Sequence, residues 1–249
     1  MITDWHFYAL AVPAVILLGL SKGGFAGMGA LSLPLLAFAV DPVRAAAITL
    51  PILIAQDVVG VWAFRRTVDW WLLGWMLPGS MLGIALGYGF AASVSSAAVM
   101  GMVGAISILF GAYRLWAASH AAPRDPARWP DWIGSLFGIA SGFTSQIAHA
   151  GQPPFQLWVL PRNLPRDLLV GTTALFFAAT NWIKVPAYWA LGQFTSANVM
   201  TSAALLPLAL VSTVAGVRLV RRVDAARFYT AIHVLMILVG IALVAEAAF

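Results

Sequence analysis

The 249-residue chain contains no cysteine. Disulfides, thiolate metal sites and cysteine nucleophiles are therefore excluded. Charge is nearly as scarce. Asp, Glu, Lys and Arg make up 9% of residues, against about 25% in a soluble domain. The four histidines form no H-x-x-x-H pair, so no helical two-histidine metal site is encoded. No G-x-x-x-x-G-K-[ST] sequence occurs, so this chain is not expected to hydrolyse ATP, and no cofactor is expected. The start, MITDWHFYAL, lacks the basic flank of a signal peptide, so the first apolar segment is expected to be retained. The longest polar stretch, Ala117 to Asp131, reads as a linker and leaves no room for a soluble domain.

What is present is apolar. The composition is 61% hydrophobic with mean hydropathy +0.89. Uncharged runs such as Trp70 to Tyr113 exceed the roughly 20 residues that cross a bilayer. The fold class that follows is an all-α polytopic membrane protein. The net charge of +5 then reports topology rather than a nucleic-acid partner.

Apolar segments fall at 5–21, 29–40, 45–64, 69–91, 94–116, 132–144, 153–161, 167–189, 195–217 and 225–246. The segments 5–21, 29–40, 132–144 and 153–161 are short, and the last three reach only ~14–20 Å as helices against a ~30 Å hydrocarbon core. The short segments come in pairs, each split by a Gly- and Ser/Thr-rich break. The halves also resemble each other: "DPVRAAAIT" aligns with "NLPRDLLVGT", and Pro78 and Gly87 align with Pro207 and Gly216 at one offset. Two repeats are expected, 1–120 and 121–249. Each is a broken pair (5–40 and 132–161) followed by three spans. Interrupted segments at matching positions of a repeat point to a transporter's binding site.

The arginines choose between two topologies. If each broken pair is one interrupted span, they divide seven to five. If each pair is a re-entrant hairpin, one side holds Arg65, Arg66, Arg114, Arg124, Arg128, Arg162, Arg166, Arg218, Arg221, Arg222 and Arg227, and the other only Arg44. The positive-inside bias favours the hairpins. The arginine-rich face is then cytoplasmic, and both termini are expected in the periplasm of a bacterial inner membrane. A hairpin plus three spans crosses an odd number of times, so the second repeat is inverted relative to the first. The hairpin tips are expected to meet near the midplane, where irregular backbone is tolerated only around a cavity or within protein.

The tips carry the candidate chemistry. Ser21, Lys22, Gly23, Gly24, Gly27 and Gly29 form tip one. It combines a positive charge, backbone able to approach a ligand and a half-helix N-terminus, all of which favour an anion. The alternatives for Lys22 are reaching outward to an interface or pairing with Asp57, and Lys184 has the same outward alternative. Tip two offers Thr144, Ser145, Gln146, His149, Gly151 and Gln152, donors suited to oxyanion oxygens. His149 is also a candidate proton carrier. Gln56 and Asn181 occupy aligned positions in long spans and read as site walls. Asp57 and Lys184 read as coupling or charge partners. The ladders Gly79-Gly83-Gly87 and Gly134-Gly138-Gly142 read as close helix packing within the chain, with a homodimer face as the alternative. Trp5, Trp62, Trp70, Trp71, Trp129, Trp132 and Trp189 read as interface anchors.

The glycine-rich first tip, with Gly19, Gly23, Gly24, Gly27 and Gly29 followed by Pro34, resembles the TauE/SafE (TSUP) family, as does "SGFTSQIAHAGQPPF" from Ser141 to Phe155. The resemblance implies secondary transport of small sulfur-containing anions, such as sulfite or short organosulfonates, rather than an enzyme. The expected partners are that anion, the lipid bilayer and a coupling ion such as the proton. The rival readings are a passive anion channel, a carrier for another small carboxylate or oxyanion, and an intramembrane hydrolase using Ser141 or Ser145 with His149.

Overall fold

The computed structural model describes residues 1–25, 27–120, 129–219 and 226–248. These residues are helical, without strands: α1 (Trp5–Lys22), α2 (Ser32–Ala37), α3 (Pro42–Phe64), α4 (Trp70–Ser93), α5 (Ser96–Ser119), α6 (Ile133–Ala148), α7 (Gln152–Val159), α8 (Arg166–Ala190), α9 (Ser196–Leu219) and α10 (Ala226–Ala248). A 3-10 turn, Met28–Leu31, precedes α2, and another, Leu160–Arg162, follows α7. Among the described residues, seven helices are long and apolar enough to cross a membrane. They are all but α2, α6 and α7, and the chain is a multi-pass membrane protein. The linker residues 121–128, with Arg124 and Arg128, lie outside the described residues, as do Ala26, Arg221, Arg222 and the start of the expected span 225–246.

Helix starts follow from local sequence. The Asp4, Asp41, Asp69 and Ser95 side chains accept from the first free N–H groups of α1, α3, α4 and α5, the usual service of an N-cap. Pro42 opens α3, where its missing N–H costs nothing. Large apolar side chains face outward along the long helices, among them Val58, Leu86, Leu109, Val211 and Leu238. The seven tryptophans expected as anchors are all exposed.

The helix pairing is exchanged between halves. α1 packs on α9 and α6 packs on α4, so each broken pair leans on a long helix of the other half. α5 packs on α10, and α3 packs equally on α8 and α9, while α4·α8 is a lesser contact. Swapping the two halves leaves this scheme unchanged. The glycine ladders serve these contacts. A Cβ at Gly142 would run into the Ser80 carbonyl of α4, and one at Gly19 into Ser212 of α9. Small residues let helices approach this closely, and the partner of each ladder lies within the chain.

Both broken pairs return to the end at which they enter. At the start of α1, Ile2 N donates to Thr201 Oγ1 at 3.0 Å. After the return limb, Arg44 Nε donates to Asn198 Oδ1 of the same α9 end at 2.9 Å. In the second pair, Asp131 just before α6 meets Arg162 just after α7 at 2.9 Å. The turning points differ from expectation. α6 continues to Ala148, so Thr144, Ser145 and Gln146 are helical and the break narrows to His149–Gly151. A helix satisfies its own backbone, so three polar side chains do not end it. α1 has 18 residues, long enough to span, and its end at Gly23 lies against Gly216 near the far end of α9. The two pairs therefore overlap in depth and pass each other.

Candidate functional site

The breaks need left-handed backbone. Gly24 has φ 124° and Gly27 φ 97°, conformations that only glycine enters freely. His149 closes α6 at φ 49°, an uncommon place for a residue with a Cβ. The breaks touch where they overlap: Gly27 N donates to Gln152 Oε1 at 2.6 Å.

Beside this contact lies a cavity of about 320 Å³. One face of α8 lines it, through Val170, Thr173, Ala174, Phe177, Asn181 and Lys184. The spacing is that of a helix face. Burial deepens along it, from half-buried Val170 and Thr173 to Lys184 at 0% exposure. Arg114, Gln156 and Leu160, the last 40% exposed, line the other end, near Arg162 and the start of α8. Ser145, His149 and Lys184 line the closed end.

Lys22 Nζ lies 2.5 Å from Asp57 Oδ1, and Asn181 Nδ2 donates to Asp57 Oδ2 at 2.6 Å. One alternative foreseen for Lys22 is therefore present: it is ion-paired, and its charge is balanced. It also lies 5.6 Å from the Phe177 ring centroid, within cation–π range. Lys184 does not reach outward to an interface. Its Nζ contacts Ser145 Oγ at 3.1 Å, Ser145 O at 3.3 Å and His149 Nδ1 at 2.8 Å. His149 Nε2 faces Ala46 O at 2.9 Å. Nδ1 also lies 3.2 Å from the Ser145 carbonyl, but an ammonium at Lys184 can only donate, so beside it the ring proton sits on Nε2 and Nδ1 offers its lone pair to Lys184.

Of the expected residues, Ser21, Lys22, Gly24, Gly29, Ser145, His149, Gln152, Asn181 and Lys184 line the cavity. The others stand back from it. Gly23 packs on Gly216 and Gly151 on Ser141. Gly27 serves the contact between breaks. Gln56 donates to Ala209 O, Thr144 caps Ala140 O within its own helix, and buried Gln146 lies against Gly87. Asp57 acts behind Lys22. The return limb after tip one is a 3-10 turn and a six-residue helix, so it carries little of the expected helix dipole. The other lining residues were missed, among them Arg114, which counted only as a face arginine, Thr173, and Gln156 and Phe177, whose neighbours read as plain apolar helix. The signal for Phe177 and Gln156 was helical spacing, four residues from Asn181 and from Gln152. Ser141 Oγ is committed to Gly151 O at 2.7 Å, and His149 Nδ1 meets the backbone oxygen of Ser145, at 3.2 Å.

No curated protein and no solved structure matches the chain. The family model described as "Sulfite exporter TauE/SafE" matches residues 11–243. That match covers nearly the whole sequence, including both broken pairs and the cavity between them, and the chain belongs to the sulfite exporter TauE/SafE family.

Proposed function

We propose that the protein is a secondary transporter of a small sulfur-containing anion, such as sulfite or a short organosulfonate, working by alternating access. One observation carries this reading. Lys22, Lys184 and Arg114 line the cavity, and its described lining residues include no carboxylate. A low-dielectric pocket lined by one sign of charge concentrates ligands of the other sign.

In this proposal the halves are inverted repeats, 1–120 and 121–249. The exchange pattern of the helix pairs and the return of both broken pairs to their entry ends support it. The arginine bias makes the Leu160 end of the cavity cytoplasmic and puts both termini in the periplasm. The arrangement is then inward-facing. Closure on the opposite side rests on the His149–Ala46 contact and on Tyr188 OH, which donates to Gln146 O at 2.6 Å. Transport would alternate by moving one repeat against the other around the breaks, as in other inverted-repeat carriers.

The test uses purified protein. Sulfite, methanesulfonate, taurine, thiosulfate, sulfate and acetate are screened for thermal stabilisation, and the best binder is then followed in proteoliposomes. Saturable counterflow of that anion is expected. Stabilisation by none of the sulfur anions, or non-saturable flux, would overturn the reading.

A further inference from the structure

The two halves hold their lysines differently, and the difference leaves one charge unmatched. The offset that carries Asp57 to Asn181 also carries Gln56 to Thr180 and Gly60 to Lys184. The structure respects this correspondence. Gln56 Nε2 reaches Ala209 O of α9, while Thr180 Oγ1 meets Ser80 Oγ of α4 at 3.3 Å. Ser80 and Ala209 are themselves related by the offset that carries Pro78 to Pro207. A Cβ at Gly60 would lie 3.7 Å from the Lys22 carbonyl, and Lys184 Nζ contacts the Ser145 carbonyl. In the first half, then, the hairpin supplies the lysine and the span supplies glycine. In the second half the span supplies the lysine and the hairpin supplies Ser145.

The acid is not duplicated. Asp57 balances Lys22, but its counterpart is Asn181, which is neutral and is spent on Asp57. Among the described residues no carboxylate lies within 4.0 Å of Lys184. Its partners are a hydroxyl, a carbonyl and an imidazole lone pair, all uncharged acceptors. A fully buried ammonium without a counter-ion is costly. This one faces the closed end of a cavity that can admit a counter-ion.

We infer that Lys184 and Ser145 form the anion subsite, with Lys184 Nζ and Ser145 Oγ donating to the oxygens of a singly charged oxyanion such as an alkylsulfonate. His149 positions the ammonium from behind, and the Lys22–Asp57 pair is a neutral wall. The inference rests on the reading of the cavity as an anion carrier's site and assigns its fixed charge.

Methanesulfonate and sulfite are titrated calorimetrically into detergent-solubilised wild type, Lys184→Gln, Ser145→Asp and the neutral double variant Lys22→Gln/Asp57→Asn. Gel filtration and thermal unfolding check the fold. Lys184→Gln is expected to weaken binding roughly thirtyfold or more. Ser145→Asp keeps the lysine but supplies the missing carboxylate, and is expected to weaken binding similarly. If one of these two misfolds, the other still decides. The double variant is expected to lose at least several-fold less than either. Wild-type affinity in a folded Lys184→Gln or Ser145→Asp, or a larger loss in the double variant, would overturn the assignment and leave the carrier reading standing. Absence of binding by wild type would overturn both.

Discussion

Lys22 and Lys184 sit on opposite members of the corresponding hairpin–span contact in the two halves and live in opposite electrostatic conditions. Lys22 meets an aspartate at 2.5 Å with its side chain 16% exposed. Lys184 is wholly buried among neutral acceptors. Charge in an apolar protein is retained either because it is balanced or because something outside the chain balances it. The first half illustrates the former and acts as structure. The second half is left incomplete, and the cavity opens beside it.

The contrast breaks most visibly in stability. Asp57→Asn strands Lys22 without its counter-ion and should cost about 3–5 kcal/mol, measured by thermal or chemical unfolding in detergent. Adding Lys22→Gln should recover most of that loss. Lys184→Gln removes a charge that had no partner, so its stability should stay within about 1 kcal/mol of wild type or rise. Equal losses from removing either lysine would end the distinction.

The exchanged packing gives the next effect. Gly142→Ala pushes a Cβ into α4, and Gly19→Ala pushes one into α9. Each should destabilise by about 1–3 kcal/mol. Gly74→Ala in the same α4, where a Cβ meets nothing within 4 Å, should be neutral or gain up to about 1 kcal/mol. If Gly142→Ala and Gly19→Ala differed severalfold, the equivalence of the two hairpin contacts would fail.

Gln152→Ala should be no larger in effect. It leaves the Gly27 N–H without its side-chain acceptor, a loss of about 1–3 kcal/mol, and should raise amide exchange at the first break.

The smallest effect belongs to Asp131, partly exposed just before α6. Hydrogen bonds from Arg162 and then Trp71 hold its carboxyl below the ordinary carboxylate range. A lowered folded-state value means its contribution is present at neutral pH and fades as pH falls through that range. Asp131→Asn should lower the melting temperature by no more than about 2 °C at pH 7, and the difference should vanish in acid.

Much of this arrangement was legible in sequence. Gly24 and Gly27 announce a break because few other residues take their backbone angles, and the return of each broken pair to its entry end is the path that the arginine bias favours. The Lys22–Asp57 pair was one of the open readings, decided only by a distance. Other features had no local signal. Thr144, Ser145 and Gln146 look like a loop because they are polar, yet they are helical, and only Ser145 turns to the cavity. The partner of α1 is α9 rather than a neighbour, and helices apolar on every side carry no amphipathic stripe to point at their partner. The burial of Lys184 likewise depends on which hairpin arrives beside α8.

The pairing of α1 with α9 has a consequence for biosynthesis. Gly23 rests against Gly216, which emerges about 190 residues later, roughly 10–40 s at ordinary ribosomal speeds. α6 has no such wait, since α4 precedes it in the chain. The first helix made is thus among the last to be clasped, and a nascent chain stalled before α9 leaves the glycine face of α1 uncovered to whatever assists or degrades it in the membrane.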